Sequence, residues 1–286
     1  MPPRRLCDLP ATPAVVAAPP RDATIVFIGD SVDQVAVSTY CLHVGAAVSG
    51  IASAGGNGVA SAGGGLVAAA ATGALPLVQC TDAARNVTIA YVQFFALHAL
   101  GDAALARLNT DAPLRALLEP ALKAIPAALG GRVPQALVAQ SLFHDLEHVA
   151  TRDAARLLLM AENSTRGDAA WAAFESAWVA AVAAPLARLL VELTAPWQMP
   201  FGVAWRTSNR VREVGPGSGW LSLRARVPAA NAAAARATRI AGARVLDFEH
   251  FQGSSELRDN MHPAYAVQVA FVTELLVNVS RCAAAA

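Results

Sequence analysis

The hydrophobic pattern divides the chain into short, almost wholly apolar runs and longer segments whose apolar positions recur at helical spacing. The first run, TIVFI (Thr24–Ile28), has the content expected of a strand buried on both faces of a parallel sheet. Four more runs read as strands: NVTIAYVQFF (Asn86–Phe95), QALVAQSLF (Gln135–Phe143), PFGVAW (Pro200–Trp205) and ARVLDFE (Ala243–Glu249). Between them the spacing predicts helices over Ser31 to about Val44, over Asp111–Ile125 with Leu114, Leu117, Leu118 and Leu122 on one face, over Ala229–Ala241 and over Pro263–Val279. A longer helix is expected from Gly167 to about Thr194, with Trp171, Phe174 and Trp178 as its core stripe and a kink at Pro185. Strands alternating with helices predict the α/β class: a three-layer α/β/α sandwich around a central, mostly parallel sheet of five strands.

Composition narrows the partners. The 286 residues are 55% hydrophobic and 15% charged, ample for a packed core. A net charge of +1, from 22 basic and 21 acidic residues spread along the chain, offers no basic stripe for nucleic acid and no polybasic segment for anionic lipid. The stretch from Gln34 to Thr81 carries no Asp, Glu, Lys or Arg, but Gly, Ser and Ala dominate it and its densest apolar part, Leu66–Ala71, is far shorter than the ~20 residues that a span requires. It reads as a Gly/Ala-rich insertion near 45–75 inside one domain covering 22–286, with no integral membrane span, preceded by a poorly ordered Pro-rich lead-in over 1–21 that lacks the apolar core of a signal peptide.

Cys7, Cys41, Cys80 and Cys282 show no CxxC spacing, which excludes a zinc ribbon and leaves free thiols or one or two disulfides. Cys41 and Cys80 could be bridged across the Gly-rich loop in an oxidising compartment. Three sequons, Asn86-Val-Thr, Asn163-Ser-Thr and Asn278-Val-Ser, occur among eight asparagines, where about one is expected from composition. The excess points to the secretory pathway or the extracellular space.

Candidate chemistry stands at the two ends of the chain. Ser31, in Gly29-Asp30-Ser31, lies just past the first strand, where an open parallel sheet binds its ligands, and at the start of a helix, whose free N–H groups favour an oxyanion. A plainer reading has Asp30 or Ser31 serving only as the helix N-cap. A serine nucleophile needs a base and an orienter, and DNMHP supplies both: His262 to take the proton and Asp259, three residues earlier, to fix the imidazole. Pro263 suits the first position of the helix that follows.

In IVFIGDSVDQ, QALVAQSLFHDL, VAWRTSN and DNMHP, in that order, the chain resembles the SGNH or GDSL-type esterases and lipases, and more closely the branch holding the PC-esterase and trichome-birefringence-like proteins of polysaccharide O-acetylation. The resemblance implies a flavodoxin-like sheet, a triad of Ser31, Asp259 and His262, and an acyl-enzyme route to O-acyl esters, O-acetyl esters of carbohydrates foremost, without a cofactor. Water as acceptor makes such a protein an esterase; a sugar hydroxyl makes it an O-acetyltransferase; a carbohydrate-binding module with feeble turnover is the third expectation. Two departures stand out. The family's Gly-x-Asn-Asp block is replaced by Leu142-Phe143-His144-Asp145, so that His144 or Asn209 would have to supply the oxyanion donor, and the glycine of the second block has no assignable position, the region being either crowded with glycine or, near Phe94 and Phe95, free of it. Asp30 and Arg206 join them as oxyanion or substrate-positioning candidates, Arg206 resembling the Arg of an Arg-Thr element that orients acyl group or sugar, with a structural ion pair as its alternative.

A competing pattern is HDLEH, His144–His148, which matches H-x-x-E-H with Glu147 as base. Its placement directly after a strand argues against it, since zinc ligation needs both histidines in one helix, and no metal site is expected. His43, His98 and His250 have no partner pattern.

Overall fold

The computed structural model describes residues 19–49, 77–101, 104, 110–152, 165–209, 226–252 and 262–285. The lead-in to residue 18, most of the Gly/Ala-rich insertion, Asn163 and Asp259 lie outside them. The strands are β1 (Ala23–Gly29), β2 (Val78–Asp82), β3 (Val87–Gln93), β4 (Ala136–Ala139), β5 (Gly202–Arg206) and β6 (Arg244–Leu246). They form one sheet in the order β2-β3-β1-β4-β5-β6. The last five pair in parallel, and β2 runs antiparallel to β3 at the edge. Among the parallel strands the order is 2-1-3-4-5, the flavodoxin-like arrangement. All seven residues of β1 are buried, because it has a strand on either side and helices above and below.

The sheet has six strands where five are expected. The additional one, VQCTD, is short and only partly buried, so it lacks the continuous apolar run that marks the central strands. Two predicted strands are too long for a related reason. In QALVAQSLF the strand stops at Ala139, and Leu142 and Phe143 are buried by a helix that starts at Phe143; in ARVLDFE the strand stops at Leu246 and Phe248 opens a helix. An apolar run reports burial and does not distinguish a strand end from a buried first helical turn.

The helices are α1 (Ser31–His43), α2 (Ala96–Leu100), α3 (Asp111–Ala128), α4 (Phe143–Arg152), α5 (Thr165–Trp178), α6 (Ala184–Thr194), α7 (Val227–Ile240), α8 (Phe248–Gln252) and α9 (Tyr265–Ala285). α1 and α9 pack together against β1, and α3, α6 and α7 pack as a second group with α6 on β5. Right-handed crossovers put these two groups on opposite faces of the sheet, giving three layers. Between α5 and α6 the helix widens into a π-turn at Val179–Ala183. Pro185 explains it: it has no N–H for the carbonyl of Ala181, and that carbonyl accepts instead from the Thr110 hydroxyl.

Asp168–Trp197 and Tyr265–Ala285 are long and apolar enough to cross a membrane by length and composition alone. In this fold Trp171, Phe174 and Trp178 of the first, and Phe271, Val272 and Leu276 of the second, are core residues. A disulfide, Cys41–Cys80, ties the end of α1 to edge strand β2 across 39 positions. A closed loop of that size contributes about 4 kcal/mol in the chain-entropy account.

Candidate active site

The tight turn between β1 and α1 presents Ser31. Asp30 is the N-cap, its Oδ1 accepting from the Val32 N–H at 2.9 Å. That leaves the Ser31 hydroxyl free of capping duty, and its Oγ lies 3.1 Å from Nε2 of His262, 231 residues later. The contact arises because α9 returns over β1 to pack on α1, bringing the residues just before it to the carboxyl end of the sheet. With Nε2 facing the serine, Nδ1 is the ring nitrogen left for an orienting group. Asp259 lies outside the described residues.

Beneath the turn is a buried charge network. Arg206, the last residue of β5, donates from Nε to Asp33 Oδ1 at 2.7 Å and from Nη1 to the Thr207 carbonyl at 3.2 Å. Its Nη2 stands 3.9 Å from Asp30 Oδ1, and its guanidinium lies 5.0 Å from the centre of the Phe248 ring. Arg206 and Asp33 are each 1% exposed and Asp30 2%. Both side chains turn inward, Arg206 in an ion pair with Asp33 and Asp30 as the helix cap. Burial, partly offset by Arg206 and reinforced by Asp30, raises the Asp33 carboxyl to about 6.

Asp33 was not singled out by the sequence; its signal was its place in the first turn of the helix, three residues after the cap. The same network accounts for Gly29. A Cβ there would fall 1.9 Å from Asp33 Oδ2. Tyr91 completes the floor, its hydroxyl donating to the Gly29 carbonyl at 3.1 Å, and burial together with Asp30 and Asp33 pushes its ionisation well above the usual range.

β3 and β4 flank β1, so the segments after them border Ser31 on either side. Phe95 follows β3 and His144 follows β4, and their rings stack at 4.0 Å between centroids. The orientation of α4 is set by Asp145, which is fully buried. Its Oδ2 accepts from the Ser141 hydroxyl at 2.6 Å and the Trp178 indole at 2.8 Å, and its Oδ1 from the Leu97 N–H at 2.8 Å. Burial raises its ionisation and these donors oppose the rise. Asn209 is buried past β5, one strand farther from β1 than His144.

The Thr207–Asn209 turn is held by groups that sequence reading missed. Asn231 Oδ1 accepts from the Ser208 N–H at 2.8 Å, and its Nδ2 donates to the Ser208 carbonyl and to Glu249 Oε2, each at 2.8 Å. Gln140 donates to the Ser208 hydroxyl at 2.8 Å. An asparagine inside an otherwise Ala-rich helix was the available signal.

Contrary to the expectation from placement, His144 and His148 do share one helix, a turn apart, because β4 ends at Ala139. Among the described residues no group of three or more His, Cys, Asp or Glu is arranged to hold a metal ion.

No protein-family model and no curated protein matches the sequence. Among solved structures, the chain is similar to Axe2, an acetylxylan esterase from Geobacillus stearothermophilus, at 12% identity and a TM-score of 0.43, over 91% of this chain and 95% of that one. It is similar to an alpha/beta hydrolase enzyme from the metagenome of Lake Arreo, Spain, at 15% identity and a TM-score of 0.43, over 92% and 97%. A GDSL-like lipase candidate from Parabacteroides merdae aligns at 14% identity and a TM-score of 0.38, over 92% and 98%. At such scores the chemistry has to be read from this chain's own side chains.

Proposed function

We propose that this chain is a serine esterase of the SGNH type that cleaves short O-acyl esters, O-acetyl esters of carbohydrates foremost, through an acyl-enzyme on Ser31. The observation that carries the reading is the 3.1 Å contact between Ser31 Oγ and His262 Nε2. His262 takes the hydroxyl proton as Oγ attacks the ester carbonyl, and returns it to the departing alcohol. The oxyanion forms at the N-terminus of α1, where unpaired N–H groups and the helix dipole oppose its charge. His144, at the neighbouring strand end, is the side-chain donor to that oxygen, and Asp259 is the orienter of His262. Water then attacks the acyl-serine with His262 again as base; a sugar hydroxyl in place of water makes the same intermediate an acetyl donor.

The test is stopped-flow hydrolysis of p-nitrophenyl acetate. A burst of p-nitrophenol matching the enzyme concentration is expected from the parent protein. Ser31→Ala should lose it, with turnover falling on the order of 10⁶-fold while the fold is kept. Equal rates in parent and Ser31→Ala would leave a non-catalytic module as the better description. Adding xylo-oligosaccharide acceptors and following acetylated sugar separates transferase from hydrolase.

A further inference from the structure

Asn86 ends the turn between β2 and β3 and opens the triplet Asn86-Val87-Thr88. It is exposed and has a φ of 52°, a left-handed conformation that asparagine tolerates. Its amide Nδ2 donates to Asp22 Oδ1 at 2.9 Å. One of the two amide hydrogens satisfies that contact, and the other is available for substitution. The turn lies beside Asp22, which precedes β1, whereas Ser31 follows β1; Asn86 therefore stands at the end of the sheet opposite the candidate active site.

Independent of the triplet, the thiols indicate the compartment. Cys41 and Cys80 are bridged, Cys282 is disulfide-bonded too, and no cysteine among the described residues is free. Disulfides persist in oxidising compartments such as the lumen of the endoplasmic reticulum. N-linked glycans are added to Asn-x-Ser/Thr in the same lumen. We infer that Asn86 carries an N-linked glycan, attached while the chain is being delivered to an oxidising compartment.

The modification precedes closure of the hairpin. In the folded chain Thr88 is buried, its hydroxyl 3.1 Å from that of Thr81 and accepting from Arg132 at 2.7 Å, so it can be read only while the segment is extended. Folding then leaves the asparagine amide outside and the threonine inside. The donor is an oligosaccharide on a lipid pyrophosphate. The amide nitrogen forms a bond to the anomeric carbon, the carbon–oxygen bond to pyrophosphate breaks, and the amide proton passes to a base of the transferring enzyme. Asn278 offers a contrast: it lies within α9, half-buried, and the Ser280 hydroxyl of its triplet donates to the Leu276 carbonyl and accepts from the Arg21 N–H.

The test uses the full chain secreted behind a cleavable leader by a glycosylating eukaryotic cell. The secreted, disulfide-bonded protein is treated with peptide N-glycanase in heavy-oxygen water and its peptides are mapped by mass spectrometry. Residue 86 is expected as heavy-oxygen-labelled aspartate. Asn86→Gln should migrate faster by one glycan, and Thr88→Ser, which keeps both the triplet and a hydroxyl, should retain the slower band. Recovery of unmodified Asn86 from the secreted parent overturns the inference.

Discussion

Two buried carboxylates, Asp33 and Asp145, stand beneath the candidate site and are neutralised in opposite ways. Asp33, under Ser31, faces a cation brought from 173 residues away, with a second carboxylate, Asp30, close by. Asp145, under His144, is held by three neutral donors, a hydroxyl, an indole and a backbone N–H, from positions 4 to 48 residues away. Three neutral donors stabilise a carboxylate by spreading short contacts around it. An ion pair does so only while both partners keep their charge and position, so the Asp33 network depends on the seating of β5 in a way that the Asp145 network does not.

The difference can be broken from the Asp33 side first. Arg206→Met leaves two buried carboxylates without their cation and should cost about 3–5 kcal/mol at neutral pH. Urea denaturation should show a smaller deficit at pH 5 than at pH 8, because Asp33 can take up a proton at the lower pH. Equal deficits at both values would falsify the ion-pair account.

Asp33→Asn sharpens the same point. Folding raises this carboxyl from 3.8 to about 6, so its contribution to stability is complete below about 3.8 and is lost as pH rises through about 6. Over that window the parent should lose about 3 kcal/mol from this group. In the variant the fall should flatten; an unchanged slope between pH 4 and pH 7 would assign it to other groups.

Trp178→Phe removes one of three donors from Asp145 and should cost about 2 kcal/mol. The same titration by denaturation should show Asp145 rising further, since a donor that opposed its desolvation is gone. Smallest of all, Ser141→Ala removes a donor on the same oxygen and should cost about 1.5 kcal/mol. A loss from either variant as large as that from Arg206→Met would erase the distinction between the two sites.

How much of this could be read in advance varies by residue. Ser31 and His262 were nameable because their local patterns are compact: a strand running into Gly-Asp-Ser, and D-x-x-H-P before a closing helix. Asp33 and Arg206 were not recognisable as partners, since no local pattern links residues so far apart; Arg206 drew notice only through resemblance, with a substrate role and a structural ion pair both open. The end of β4 was misread for a related reason. Leu142 and Phe143 are as buried as the strand before them, and the chain turns there because Ser141 and Leu97 both find Asp145, a tertiary event.

The amino-acid order alone determined the class of fold and the identities of the serine and the histidine, because apolar periodicity and short motifs are properties of neighbouring residues. Only the tertiary structure decided that Ser31 and His262 meet, that Arg206 pairs with Asp33, and that Gly29 is a glycine to make room for a carboxylate. Those outcomes depend on which strand lies beside which, and strand order is set by the joint packing of all the helices on the sheet.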